Sequence, residues 1–187
     1  MKIIPASLEG LLIIEPDLYE DHRGFFFETY QRKKYQDLGI AQEFVQDNLS
    51  FSRKGVIRGL HFQIAHPQAK LVQALAGEVF DVAVDIRPSS PTFGKWAGVI
   101  LSETNRRQFL IPEGFAHGFA VLSDTALFSY KCSDYYKAKD EGGVLFSDPA
   151  IGIEWPVQTP ILSDKDLAYP LLQELSAENL YRPEKAR

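Results

Sequence analysis

The chain has 187 residues, 45% hydrophobic and 24% charged, and these values are typical of a single globular domain with a buried core. Its net charge of −5 argues against a nucleic acid as the main partner, because phosphate backbones are bound by basic surfaces. The single cysteine, Cys132, excludes an intrachain disulfide and a thiolate metal cluster. The sequence shows neither a membrane-spanning apolar stretch nor a secretory pattern, so we expect a cytoplasmic protein.

Secondary structure is predicted mainly as short strands. A short helix over Glu28–Leu38 comes first and ends at Gly39, because glycine tolerates the backbone conformation that follows a helix. The predicted strands are Gly55–Gln63, Leu71–Leu75, Val79–Arg87, Trp96–Leu101, Gln108–Ile111, Phe119–Leu122 and Ala126–Cys132. We expect the last two to form a hairpin, and a second helix to cover Leu171–Leu180.

Many short strands with close turns, and helices only near the two ends, are typical of an all-β jelly roll. The sequence therefore predicts a β-sandwich or barrel with short peripheral helices. It forms one domain over residues 1–187, with a helical tail from about residue 165 to 187.

The run Gly55–Gln63 contains the first candidate chemistry. His61 offers an imidazole that can transfer a proton, and Arg58 offers a guanidinium that can bind an anion. Strict alternation along a strand places these two side chains on opposite faces of the sheet. A bulge at Gly59, or a position of Arg58 at the strand's rim, would bring them to one pocket.

The sequence favours acid–base chemistry without a metal. Cupin-type barrels often bind a metal through two histidines one residue apart, and His61 is followed instead by Phe62 and Gln63. Nucleophile elbows, Gly-rich phosphate loops and dinucleotide motifs are missing from the sequence. One histidine as base, one tyrosine as acid and one lysine as stabiliser suit proton abstraction beside a carbonyl, although each residue alone could be structural.

Five motifs in chain order resemble the dTDP-4-dehydrorhamnose 3,5-epimerase family. They are Asp21–Tyr30, Gln46–Gln63, His66–Val72, Pro112–Phe119 and Tyr130–Cys132, and the resemblance extends from about residue 2 to Asp166. It implies a cupin-like jelly roll that works as a homodimer, without a metal or other cofactor. It also implies epimerisation of dTDP-4-dehydro-6-deoxy-D-glucose at carbons 3 and 5, in the biosynthesis of dTDP-L-rhamnose for cell-wall polysaccharides.

The resemblance implies four catalytic residues. His61 would be the base, and Asp166 would hydrogen-bond it and fix its tautomer. Lys70 would stabilise the enolate oxygen, and Tyr130 would return a proton from the opposite face of the sugar.

The resemblance also implies a set of substrate-binding residues. Arg23 and Arg58 would bind the diphosphate, where guanidinium groups suit phosphate oxygens. Tyr136 would stack on thymine, with Phe26 on its other side. The remaining family contacts fall on Glu28, Gln46, Asn48, His117, Glu141 and Lys165.

Three other functions are left open by the sequence. The first is a single-carbon epimerase acting on a related dTDP-4-keto-6-deoxy sugar. The second is a non-catalytic jelly roll that binds sugar nucleotides, and the third is a metal-dependent cupin enzyme.

Overall fold

The computed structural model describes residues 1–181, and within them the chain forms thirteen strands and two short α-helices. The strands are β1 Lys2–Pro5, β2 Leu12–Glu15, β3 Tyr19–Asp21, β4 Gly24–Phe26, β5 Gln46–Arg53, β6 Ile57–Gln63, β7 Lys70–Ala76, β8 Glu78–Asp85, β9 Trp96–Ser102, β10 Gln108–Ile111, β11 Phe115–Val121, β12 Thr125–Cys132 and β13 Glu141–Gly143. The α-helices are α1 Arg32–Asp37 and α2 Asp164–Leu167. No helix among the described residues is both long enough and apolar enough to cross a bilayer.

Two antiparallel sheets form the body of the domain. The six-stranded sheet has the order β1-β2-β10-β7-β12-β5, and the five-stranded sheet has the order β13-β6-β11-β8-β9. A separate hairpin joins β3 to β4. This arrangement confirms the predicted all-β jelly-roll sandwich with short peripheral helices.

The main core lies between the two sheets. Val72, Phe109 and Phe128 of the six-stranded sheet pack in one buried cluster with Ala83 and Phe119 of the five-stranded sheet. The rings of Phe119 and Phe128 stack with their centroids 4.2 Å apart. The inner faces of the strands are therefore apolar over most of the sandwich. Polar side chains that face inward depart from this pattern.

The predicted hairpin of Phe119–Leu122 with Ala126–Cys132 is wrong. The first segment belongs to β11, which pairs with β6 and β8, whereas the second belongs to β12, which pairs with β5 and β7 in the other sheet. The turn signals at Ser123–Thr125 correctly mark a chain reversal. They do not specify which strand the next segment pairs with. At this turn the chain crosses from one sheet to the other.

The two predicted helices have different outcomes. Helix α1 begins four residues later than expected, because the Gln31 side chain caps it by accepting from the Lys34 amide, and Gly39 follows its end with φ +87°. The helix predicted over Leu171–Leu180 is wrong. That stretch contains two separate 3₁₀ turns, Leu172–Glu174 and Ala177–Asn179. Residues 182–187 of the expected tail lie outside the described residues.

A bulge in β6 brings both of its charged side chains to one cavity. In the pairing with β11, His61 lies opposite His117 and Arg58 lies opposite Phe119, so Gly59 and Leu60 together oppose one residue. Gly59 has φ +124°, and a Cβ there would lie 2.5 Å from the Cα of Gly118. Only glycine fits this close approach, and the extra residue places His61 and Arg58 on the same side of the sheet.

Candidate active site

A cavity of about 310 Å³ lies between the two sheets, and polar side chains line much of it. Both sheets contribute walls, as does the segment that contains α2. Ten of the fourteen predicted site residues line this cavity, namely Gln46, Asn48, Arg58, His61, Lys70, His117, Tyr130, Tyr136, Glu141 and Lys165.

His61 and Asp166 form a hydrogen-bonded pair at one wall. The Nε2 atom of His61 lies 2.6 Å from Oδ1 of Asp166, which is buried at the start of α2. Burial alone would raise the pKa of Asp166, but the hydrogen bond from His61 holds that pKa below its ordinary value. Asp166 is therefore an anion that accepts the Nε2 proton, which leaves Nδ1 of His61 as the basic atom.

Lys70, which is half-buried, directs its amine into the same cavity. Burial lowers its pKa, and the nearby Cys132, Asp81 and Glu141 oppose that shift. Among the described residues its ammonium group has no hydrogen-bond partner. An unpaired cation in a partly closed cavity is suited to bind an oxygen atom that gains negative charge.

Tyr130 faces the cavity from the six-stranded sheet. It lies on β12 opposite Asn48 of β5, and burial raises the pKa of its phenol. The hydroxyl therefore stays protonated at neutral pH and can donate a proton. His61 lies on the five-stranded sheet, so the base and the phenol approach the cavity from opposite walls.

His117 and Asp81 form a second imidazole–carboxylate pair, which is more deeply buried than the first. The Nε2 atom of His117 lies 3.0 and 3.1 Å from the two carboxylate oxygens of Asp81. Burial lowers the pKa of His117 and raises the pKa of Asp81. His117 is therefore suited to bind a ligand as a neutral imidazole, with Nδ1 left as an acceptor.

A polar network forms the mouth of the cavity. The carboxylate of Glu141 accepts hydrogen bonds from Tyr136 and from Lys165, each at 2.7 Å. The backbone amide of Tyr136 donates to Gln46, which holds the half-exposed ring at the edge of the opening. An aromatic ring beside polar side chains at a cavity mouth suits a planar base with hydrogen-bonding edges.

Among residues 1–181, no three histidine, cysteine, aspartate or glutamate side chains come together in a group that could hold a metal ion. The titratable groups of the cavity include a carboxylate-bound histidine, a protonated phenol and a half-buried amine. This set matches proton transfer next to a carbonyl.

Comparison with known proteins identifies the family. The model of the family described as dTDP-4-dehydrorhamnose 3,5-epimerase matches residues 5–174. This chain belongs to that family. It is therefore a carbohydrate epimerase, which excludes the non-catalytic binding protein that the sequence left open.

Relatives of this epimerase include both curated proteins and solved structures. The dTDP-4-dehydrorhamnose 3,5-epimerase of Shigella flexneri is 57% identical over 169 residues, which cover 89% of this chain and 93% of the relative. The dTDP-6-deoxy-D-glucose-3,5-epimerase of Legionella pneumophila, solved with dTDP-4-keto-L-rhamnose, is 56% identical with a TM-score of 0.95, over 98% of each chain. A 3′-monoepimerase of Streptomyces bikiniensis, solved with dTDP-quinovose, is 34% identical with a TM-score of 0.85, over 90% of this chain and 87% of that one.

Three predicted binding residues of the epimerase do not reach its own cavity. Arg23 and Phe26 lie at the exposed β3–β4 hairpin, where Arg23 pairs with Asp21. Glu28 pairs with Lys34 at the start of the chain's first helix. Within residues 1–181 of a single chain, the structure therefore does not bring these three together with the ten that line the cavity.

Ser50 is a cavity residue that the sequence analysis missed. Its Oγ is buried and has no hydrogen-bond partner among the described residues, and the side chain lines the cavity. Ser50 follows Gln46 and Asn48 at a spacing of two along β5, so the three share one face of the strand. That alternation was available in the sequence and could have identified Ser50.

Proposed function

We propose that this epimerase converts dTDP-4-dehydro-6-deoxy-D-glucose to dTDP-4-dehydro-L-rhamnose by inverting carbons 3 and 5. The observation that carries the proposal is the placement of His61, bound to Asp166, on the sheet opposite Tyr130 and Lys70. We assign the reaction to dTDP-L-rhamnose biosynthesis, which supplies cell-wall polysaccharides. We also propose a cytoplasmic location, because the lone buried Cys132 suits a reducing compartment.

His61 removes the proton in the first step. The ketone at carbon 4 acidifies the hydrogens on both neighbouring carbons, so one base can act at carbon 3 and then at carbon 5. Nδ1 of His61 accepts the proton while Nε2 remains bonded to Asp166, whose negative charge stabilises the imidazolium. The electron pair of the broken C–H bond moves to the carbon 4 oxygen and forms an enolate.

Lys70 and Tyr130 complete the inversion. The Lys70 ammonium stabilises the enolate oxygen, and its unpaired state in the cavity supports that role. The Tyr130 hydroxyl then donates its proton to the opposite face of the same carbon, which inverts the centre. His61 releases its proton to solvent and Tyr130 regains one from solvent, so the site is restored for the second carbon.

Arg58 is proposed to bind the diphosphate. Its Nε donates to Ser52 Oγ at 3.0 Å and one terminal nitrogen donates to the Phe51 carbonyl at 3.3 Å. These bonds fix the guanidinium at the cavity wall and leave further N–H groups for phosphate oxygens. At the mouth, Tyr136 stacks on thymine, and Gln46, Asn48, His117, Glu141 and Lys165 bind the nucleotide and the sugar.

We further propose a homodimer in which the β3–β4 hairpin of one copy reaches the cavity of the other. This arrangement gives Arg23, Phe26 and Glu28 their binding roles without placing them in their own cavity. Phe26 is 64% exposed, and Leu49 and Phe51 on the sheet-edge strand β5 are 61% and 60% exposed. Exposed apolar side chains on a strand at the edge of a sheet are typical of an interface between chains.

Light scattering tests the assembly. The expected mass is twice the 21.1 kDa of one chain. An Arg23→Ala variant should remain dimeric and lose affinity for substrate. A fully active protein with the mass of one chain would contradict the proposed assembly.

Product analysis tests the proposed reaction. After incubation with dTDP-4-dehydro-6-deoxy-D-glucose, borohydride reduction and hydrolysis should release rhamnose and its carbon 4 epimer, 6-deoxytalose. Inversion at carbon 3 alone would yield 6-deoxyallose and 6-deoxygulose instead. That result would favour the single-carbon alternative, which the fold permits because a 3′-monoepimerase has the same architecture.

A Ser50→Ala variant should raise KM about fivefold and leave kcat unchanged. The buried hydroxyl has no partner in the chain, so we expect it to donate to bound substrate, and one such hydrogen bond contributes about 1 kcal/mol. Steady-state kinetics measure the effect. Ser129→Ala is the matched control, since Ser129 alternates with cavity-facing Phe128 and Tyr130 on β12. An unchanged KM in Ser50→Ala would contradict a binding role for this hydroxyl.

A Lys70→Met variant should lower kcat about 100-fold and raise the melting temperature by a few degrees. Methionine keeps the length of the side chain but cannot stabilise the enolate, and it removes the cost of burying a charge. Because the pKa of Lys70 is lowered by folding, the unfolded chain binds its proton more strongly. The stability gain should therefore be complete at pH values below the folded pKa of Lys70 and shrink as the pH rises toward about 10.4, the ordinary pKa of lysine.

Calorimetry across pH and steady-state kinetics measure the two effects of Lys70→Met. Lys131→Met is the matched control, because Lys131 lies on β12 outside the cavity and pairs with Asp47. Unchanged turnover in Lys70→Met would contradict the proposed role of the amine.

A further inference from the structure

Tyr169 lies beside the catalytic pair without lining the cavity. Its ring meets the ring of His61 edge to face, with centroids 5.6 Å apart and planes inclined by 65°. Its hydroxyl donates to Oε1 of Glu141 at 3.2 Å. No motif in the sequence pointed to this residue.

The backbone of β13 supports the Tyr169 ring from one side. A Cβ on Gly143 would lie 2.4 Å from two carbons of that ring, so the ring packs directly on the glycine. Gly143 is also the residue that pairs with His61 between β13 and β6. The ring is therefore confined by the same two strands that position the imidazole.

Tyr169 also belongs to the segment that presents Asp166. Helix α2 ends at Leu167, and its C-cap Ala168 directly precedes Tyr169. The carbonyl of Pro170 accepts from the amide of Leu145 at 2.8 Å. Burial, followed by the neighbouring Glu141, raises the pKa of Tyr169 to about 12, so its hydroxyl remains a donor to that carboxylate. One side chain thus connects the Asp166 segment, the strand that bears Glu141 and the ring of His61.

We infer that Tyr169 is a positioning residue for His61. Its ring restricts rotation of the imidazole, so that Nε2 stays on Asp166 and Nδ1 stays directed at the substrate. The inference rests on the proposed role of His61 as the base. The alternative is that Tyr169 only fills space under the C-terminal segment.

Two variants separate the ring from the hydroxyl. Tyr169→Phe keeps the ring contact and should retain kcat within about threefold. Tyr169→Ala frees the imidazole and should lower kcat about 30-fold, since a small misplacement of a catalytic group can cost up to about 100-fold in rate. KM should change less than threefold in both variants, because Tyr169 does not line the cavity.

The proton between His61 and Asp166 gives a readout that does not depend on turnover. A 2.6 Å hydrogen bond predicts a downfield proton resonance in the NMR spectrum. We expect this resonance in the wild type and in Tyr169→Phe, and its loss through faster exchange in Tyr169→Ala. Its persistence in Tyr169→Ala would overturn the inference.

Leu172→Ala is the control for general loosening of the segment. Leu172 is buried in a separate apolar cluster, so its truncation should lower the melting temperature and leave both kcat and the resonance in place. If Leu172→Ala and Tyr169→Ala lower kcat and abolish the resonance equally, Tyr169 is only structural. A wild type that shows the resonance but does not act on the substrate would refute the proposed function, and the resonance in the variants would still decide whether Tyr169 positions His61.

Discussion

A His61→Ala variant is expected to lose about 1,000-fold or more in kcat. The imidazole has its Nε2 bound to the buried Asp166 and its Nδ1 left to accept a proton, and general-base catalysis contributes about 100- to 10,000-fold. Because the same base is proposed to act at both carbons, hydrogen exchange with solvent should stop at carbon 3 and at carbon 5 together. Turnover and deuterium incorporation, followed on the same samples, measure the two effects.

His66→Ala is the matched control for this experiment. His66 lies in the loop after β6, outside the cavity, and its side chain is 38% exposed. Its replacement should leave turnover unchanged. Wild-type turnover in His61→Ala would remove the proposed base and with it the mechanism.

A Tyr130→Phe variant should separate exchange from inversion. It removes only the hydroxyl that is proposed to return the proton, and the ring still packs against Phe128. His61 can still remove and return a proton on one face, so exchange at carbon 3 should continue. Net epimerisation should fall about 100-fold or more, the ordinary contribution of a general acid.

Proton exchange and product formation must be measured together for this variant. Tyr30→Phe, which alters a half-buried tyrosine outside the cavity, should behave as wild type. Full epimerisation by Tyr130→Phe would contradict its role as the acid.

The local strand pattern predicted the fold class correctly, and long-range pairing accounts for what it missed. Alternation and apolar runs place strands such as Gln108–Ile111 at the bounds that the structure shows. The Ser123–Thr125 turn signals cannot tell whether the next strand joins the same sheet or the facing one. The stretch Leu171–Leu180 has helical composition, but hydrogen bonds to Asp148 and within its own turns interrupt it.

The prediction of the site residues depended more on the resemblance to the epimerase family than on the pattern of residues along the chain. His61 and Arg58 stand out in the sequence, yet simple alternation separates them, and only the bulge at Gly59 places both in the cavity. Asp166 lies 105 positions after His61, and no local pattern predicts that contact. Tyr169 was missed for the same reason, since its role depends on Gly143 and Glu141 lying beside it in space.

Incubation with dTDP-4-dehydro-6-deoxy-D-glucose in heavy water tests double epimerisation most directly. Each inversion removes a carbon-bound hydrogen and replaces it with one that comes from solvent. The wild-type protein should therefore yield dTDP-4-dehydro-L-rhamnose with deuterium at both carbon 3 and carbon 5. Deuterium at only one of these carbons, with the other centre unchanged, would contradict the proposed reaction.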